Sequence, residues 1–118
     1  MGKRMEGKVV LVTGAGSIGS GWGNGKASAV LFAREGGKVF AVDRDLNSAR
    51  VTQRIIENEG GHCLAYEADV TDPESVDAMV NRCCQEFGKV DVLYNNVGGA
   101  LAGGIMELDE AAWDAQID

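Results

Sequence analysis

The segment from Thr13 to Gly25 reads Thr-Gly-Ala-Gly-Ser-Ile-Gly-Ser-Gly-Trp-Gly-Asn-Gly, and glycine at this density works through its backbone. Without a Cβ the chain turns tightly and comes close to a ligand. The N–H groups at the start of a following helix, with the positive end of its dipole, suit a pyrophosphate. Gly14-x-Gly16-x-x-Gly19 has the spacing of a dinucleotide-binding loop, a weak string alone that gains meaning from a strand before it and a helix after it. A triphosphate-binding loop is the rival, because Gly25-Lys26 precedes a helix. That loop needs a glycine where Ser20 stands and a Ser or Thr where Ala27 stands, so the hydroxyl for Mg²⁺ is missing. Lys26 then reads as a solvated first-turn residue.

Asp43 closes the apolar run Val39-Phe40-Ala41-Val42. A carboxylate at the end of a second strand can accept from adenosine ribose hydroxyls, each such bond being worth about 1.5–3 kcal/mol. A 2′-phosphate there would meet like charge, costing about 4 kcal/mol per unit charge at ~4 Å and an effective dielectric of ~20. NAD is therefore expected over NADP. Arg44 could pair with a 2′-phosphate, but is placed along the adenine face. Asp69-Val70 and Asn95-Asn96-Val97-Gly98 each follow an apolar run. Both fall at carboxyl ends of strands, where doubly wound sheets bind ligands. Asp69 could accept from the adenine amino group, whereas an Asn pair can also simply satisfy a local turn.

The elements that must position these residues alternate. Val9-Val10-Leu11-Val12 is an unbroken β-branched run of the kind that lies buried on both faces in parallel sheets. A helix is expected from Lys26 to Glu35, stopped by Gly36-Gly37. The second strand is Val39 to Val42. Asp45 caps a helix running to about Glu59, and Cys63 to Tyr66 is a third strand. Asp72-Pro73-Glu74 opens a helix whose stripe is Val76, Met79, Val80, Cys83 and Phe87, closed by Gly88. Val90 to Tyr94 is a fourth strand, and a last helix begins at Asp109. Strands alternating with helices predict an open three-layer α/β/α fold with a four-stranded parallel sheet and right-handed crossovers.

The totals agree. At 118 residues one domain is expected, with 45% hydrophobic and 25% charged residues. The net charge of −7 argues against nucleic acid or an anionic membrane surface as partner. Cys63, Cys83 and Cys84 make a poor disulfide framework, and with one histidine no zinc-ligand spacing arises; buried thiols in a reducing cytoplasm are expected. The start Met1-Gly2-Lys3-Arg4-Met5-Glu6 has neither the apolar run of a signal peptide nor the Ser or Thr of a myristoylation site. No apolar stretch approaches the ~20 residues that span a bilayer.

Thr13-Gly14 with its glycine loop, Asp43, Asp69-Val70 and Asn95-Asn96-Val97-Gly98 together resemble the ordered motifs of the short-chain dehydrogenase/reductase family. The likeness runs from Gly7 to Asp118 and includes Ala29 to Gly36 as its first helix. It implies a Rossmann-type sheet of order 3-2-1-4, NAD as cofactor, and hydride exchange between nicotinamide and an alcohol or carbonyl substrate. It places Gly14, Gly23 and Gly25 near the pyrophosphate with Ser17, Ile18 and Asn24 beside them. Asp43 and Arg44 fall at the ribose and adenine, Asp69 and Val70 at the adenine, and Asn96, Val97 and Gly98 under the nicotinamide ribose.

The family pattern is Thr-Gly, three residues, Gly-X-Gly, so the loop here is longer by five. Gly16, Gly19, Gly21 and Gly23 all remain candidates for the phosphate contact. Val97 replaces the usual alanine. The family's Tyr-x-x-x-Lys pair is not met, since Val70 follows Tyr66 and Gly98 follows Tyr94 at that spacing. The chain is therefore expected to be the NAD-binding half alone, ending before the catalytic Asn, Ser, Tyr and Lys and inactive by itself. The rival readings are a non-catalytic NAD-binding module and a self-associating fragment, the latter because strand four would carry an uncovered edge.

Overall fold

The computed structural model describes residues 5–16, 25–95 and 104–107. Strands β1 (Val9–Thr13), β2 (Lys38–Asp43), β3 (His62–Glu67) and β4 (Val92–Asn95) alternate with helices α1 (Gly25–Arg34), α2 (Leu46–Asn58) and α3 (Pro73–Phe87). The four strands pair in parallel, as the strand–helix alternation predicts, and in the order β3-β2-β1-β4 that the family resemblance implies. The expected boundaries shift by a residue or two. In β4, Val90 and Asp91 precede the strand because Asp91 clamps the start of β1: its Oδ2 accepts from Val9 N at 2.8 Å, and its own N–H donates to Val9 O at 2.9 Å.

Helix limits follow local chemistry. The Asp45 carboxylate accepts from Asn47 N at 3.0 Å at the head of α2. The Asp72 carboxylate accepts from Glu74 N at 3.1 Å at the head of α3, with Pro73 as its first residue. Gly88 ends α3 at φ +86°, the left-handed conformation that closes helices, and its N–H donates to Cys84 O at 2.8 Å.

Each face of the sheet carries its own core. Val10, Val12, Val39, Ala41, Val92 and Tyr94 meet Ala29 and Phe32 of α1 and Ile56 of α2. Val9, Leu11, Phe40 and Val42 meet Met79, Val80 and Cys83 of α3 on the other. The unbroken apolar runs of β1 and β2 are thus explained: successive side chains point to opposite faces, and both are covered. Edge-to-face ring pairs reinforce each layer, Phe32 with Tyr94 at 5.5 Å and Phe40 with Phe87 at 6.3 Å.

One expectation is overturned. The edge of β4 is not uncovered, and self-association through it loses its basis. A fifth strand, β5 (Gly104–Glu107), pairs with it antiparallel, Val92 opposite Glu107 and Asn95 opposite Gly104. The antiparallel run satisfies the outer backbone groups of β4 from within the same chain. The helix expected from Asp109 lies outside the described residues.

Candidate functional site

Parallel pairing brings the carboxyl ends of the strands to one crest. Thr13 ends β1 in register with Val42 and with Asn95, while Asp43 stands beside Glu67. Thr13 and Asn95 also join through their side chains, the Thr13 hydroxyl donating to Asn95 Oδ1 at 2.9 Å. This bond ties the end of β1 to the end of β4.

The chain leaves β1 through Gly14, whose φ of +64° is left-handed and favours glycine. Ala15 follows, with its N–H donated to Val42 O at 2.9 Å and its carbonyl accepting the Thr52 hydroxyl at 2.9 Å. Gly16 N then donates to Asp43 Oδ2 at 2.9 Å. A Cβ on Gly16 would run into Ser48 Cβ, lie 2.8 Å from the Ser48 carbonyl carbon and stand 3.1 Å from Asp43 Oδ2. Glycine is therefore needed at 16 for space rather than for its dihedral freedom.

Asp43 is half-buried, and both its oxygens are engaged: Oδ2 by Gly16 N, and Oδ1 by Asp45 N at 2.9 Å. A carboxylate has about four lone-pair sites, so two remain for hydroxyl donors. The Asp43 carbonyl meanwhile accepts from Ala68 N at 3.1 Å, which fixes the turn carrying Asp69.

Asp69 lies on the same rim. Its Oδ1 accepts the Thr71 hydroxyl at 2.6 Å and Thr71 N at 2.9 Å. These bonds hold its carboxyl below the usual carboxylate range; desolvation opposes the shift and the nearby charge of Arg44 adds to it. Arg44 is exposed between Asp43 and Asp45. Val70 is half-buried and packs toward the α3 layer. Gly25, the first residue of α1, is buried.

Of the residues expected to bind, Gly14, Asp43, Arg44 and Asp69 share the crest. Ser17, Ile18, Gly23, Asn24, Asn96, Val97 and Gly98 lie outside the described residues. The sequence reading missed Thr52 and Ser48, which support the glycine turn from α2. Thr52 is the more legible in hindsight, since Ala49, Thr52 and Ile56 form the buried stripe of α2 and a hydroxyl on such a stripe needs a partner. Among the described residues no group of three or more His, Cys, Asp or Glu could hold a metal ion, and no helix is long and apolar enough to cross a membrane.

A carboxylate with spare acceptor sites beside a glycine backbone that tolerates no Cβ suits a sugar next to a phosphate. Comparison with known proteins shows the family. The family described as short chain dehydrogenase matches residues 8–118. The 3-oxoacyl-[acyl-carrier-protein] reductase FabG of Thermotoga maritima is 38% identical over 117 residues, 98% of this chain and 45% of the relative. A crystal structure from Burkholderia xenovorans, assigned to the short-chain dehydrogenases/reductases, is 50% identical with a TM-score of 0.75, covering 98% of this chain and 46% of that one. A 7α-hydroxysteroid dehydrogenase solved with NADH and 7-oxo glycochenodeoxycholic acid is 32% identical with a TM-score of 0.71, covering 77% of this chain and 34% of that one. The chain thus spans less than half the length of these relatives.

Proposed function

Because the chain belongs to the short chain dehydrogenase family, we propose that it is the NAD-binding portion of an oxidoreductase acting on an alcohol or carbonyl substrate. The observation that carries this reading is the Asp43 carboxylate at the end of β2, 2.9 Å from Gly16 N and retaining acceptor capacity. Asp43 would accept from the adenosine ribose hydroxyls. The glycine turn after β1 would approach the pyrophosphate, and the Asp69 rim would face the adenine. Asn96, Val97 and Gly98 would follow β4 toward the nicotinamide ribose. When bound, NAD supplies a hydride acceptor, and NADH a hydride donor, for the alcohol–carbonyl pair.

The preference for NAD over NADP follows from charge. Asp43 would face a 2′-phosphate with like charge, while the exposed Arg44 charge also acts on the Asp69 carboxylate. Like charges at ~4 Å and an effective dielectric of ~20 repel by about 4 kcal/mol, which outweighs a single hydrogen bond to the phosphate.

Calorimetry on the protein with NAD and NADP tests the reading. Binding of NAD with at least about tenfold weaker binding of NADP is expected. No heat with either cofactor at millimolar concentration would remove the reading, and equal affinities would remove the preference.

A further inference from the structure

Thr52 is completely buried on α2, and its hydroxyl leaves its own helix for a partner. The carbonyl four residues back, Ser48 O, is 3.5 Å away, whereas Ala15 O is at 2.9 Å. A helical threonine hydroxyl commonly bonds the i−4 carbonyl. Here the one proton goes to the shorter contact, outside the helix. Ala15 is equally buried, and its N–H is already given to Val42 O at 2.9 Å. The peptide groups on both sides of Ala15 are therefore fixed, one by β2 and the other by α2. The next N–H, on Gly16, goes to Asp43.

We infer that Thr52 is a positioning residue that presets the Gly14–Gly16 turn for cofactor by holding the Ala15 carbonyl. The inference rests on the dinucleotide reading of this site. Thr52 itself touches no cofactor. It acts through the direction of the Ala15–Gly16 peptide, and so through the Gly16 N–H and the placement of the Asp43 carboxylate that this N–H holds.

The physical case separates positioning from stability. A valine in place of Thr52 would match its shape and leave the Ala15 carbonyl buried without this donor, a state proteins avoid. The turn would relieve that by moving. Cofactor would then bind only the fraction of molecules whose turn is in place, and apparent affinity falls by that fraction. A residue that merely stabilised the fold would lower the melting temperature and leave the affinity of folded molecules unchanged.

The test compares the full chain with Thr52→Val, Thr52→Ser and Ile56→Val. Ile56 is buried on the same stripe of α2 but one turn further from the glycine segment. NAD affinity is read by calorimetry, melting by circular dichroism, and amide exchange at Ala15 and Gly16 by NMR. Thr52→Val is expected to weaken NAD about tenfold and to speed exchange at both amides, while Thr52→Ser stays within about twofold of wild type. Ile56→Val is expected to lower the melting temperature with NAD affinity unchanged. Wild-type affinity in Thr52→Val, or a serine variant as weak as the valine one, overturns the inference. Should the wild-type chain take up no NAD, the proposed function falls, and amide exchange decides Thr52 alone. Faster exchange in Thr52→Val but not in Ile56→Val then upholds the clamp, and equal exchange refutes it.

Discussion

The Gly16 N–H donates to Asp43 Oδ2 across 2.9 Å, joining the turn after β1 to the end of β2, although 27 residues separate the two in the chain. The carboxylate proposed to recognise the ribose is therefore also the fastening of the glycine turn. In that proposal sugar recognition and phosphate approach would be coupled before any ligand arrives, and changing either residue should disturb both.

Asp43→Ala is expected to weaken NAD about 10- to 100-fold, the equivalent of losing about 1.5–3 kcal/mol of bonding to a charged group. NADP also meets a loosened turn but is relieved of the like charge at its 2′-phosphate, so its affinity should change less and the preference between the two collapses. Parallel titrations of both cofactors check this; unchanged NAD affinity and preference would contradict the ribose role.

Gly16→Ala places a methyl group against Ser48 Cβ and 2.8 Å from the Ser48 carbonyl carbon. Backbone cannot yield as a side-chain tip can, so overpacking of about 1–3 kcal/mol is expected. The melting temperature should fall and NAD binding weaken together. A melting curve superimposable on wild type would show that the turn and α2 are not in contact.

The depressed Asp69 carboxyl gives a pH signature. A carboxyl held below its unfolded value stabilises the fold above that unfolded value, and the contribution is lost as pH falls through the folded one. Thr71→Val removes the 2.6 Å hydroxyl donor. The Asp69 titration followed by NMR should move upward toward the ordinary range. The stability difference between variant and wild type should be present at neutral pH and fade in acid. An unmoved titration would show that Thr71 is not the cause.

The cysteines should divide by burial. Desolvation pushes the Cys63 thiol up to about 12, with Glu57 adding to it, and pushes Cys83 up to about 12 as well. Cys84, next in the chain, is exposed. Alkylation of the native protein at pH 8 followed by peptide mass mapping should modify Cys84 and spare the other two until the fold is denatured. Early labelling of Cys63 or Cys83 would mean that their layers open readily.

Gly88→Ala tests the stop of α3. At φ +86° nothing lies within 4 Å of the added methyl, so the cost is conformational alone. A loss of about 1 kcal/mol in denaturant unfolding is expected, with NAD affinity untouched.

Much of the fold lay open in local chemistry. The runs Val9-Val10-Leu11-Val12 and Val39-Phe40-Ala41-Val42 read as doubly covered strands, since they are short, rich in β-branched residues and bounded by turn residues. Asp45, Asp72 with Pro73, and Gly88 marked helix limits because capping depends on a few neighbouring residues. Strand–helix alternation then implied parallel pairing, and the order β3-β2-β1-β4 followed from the family likeness. The positions of Gly14, Asp43 and Asp69 at one crest followed from that topology.

Only the tertiary structure decided the rest, because those features join residues distant in sequence. β5 is four residues long with no alternation strong enough to read, and it became a strand by finding the open backbone groups of β4. Asp91 looked like part of a strand until its carboxylate met Val9. Thr52 on its helix was an ordinary buried threonine until Ala15, 37 residues earlier, was seen to lie against it. Hydrophobic period and capping are local quantities that a sequence displays directly. A hydrogen bond across the sheet crest depends on where folding sends each partner, which no stretch of the chain carries by itself.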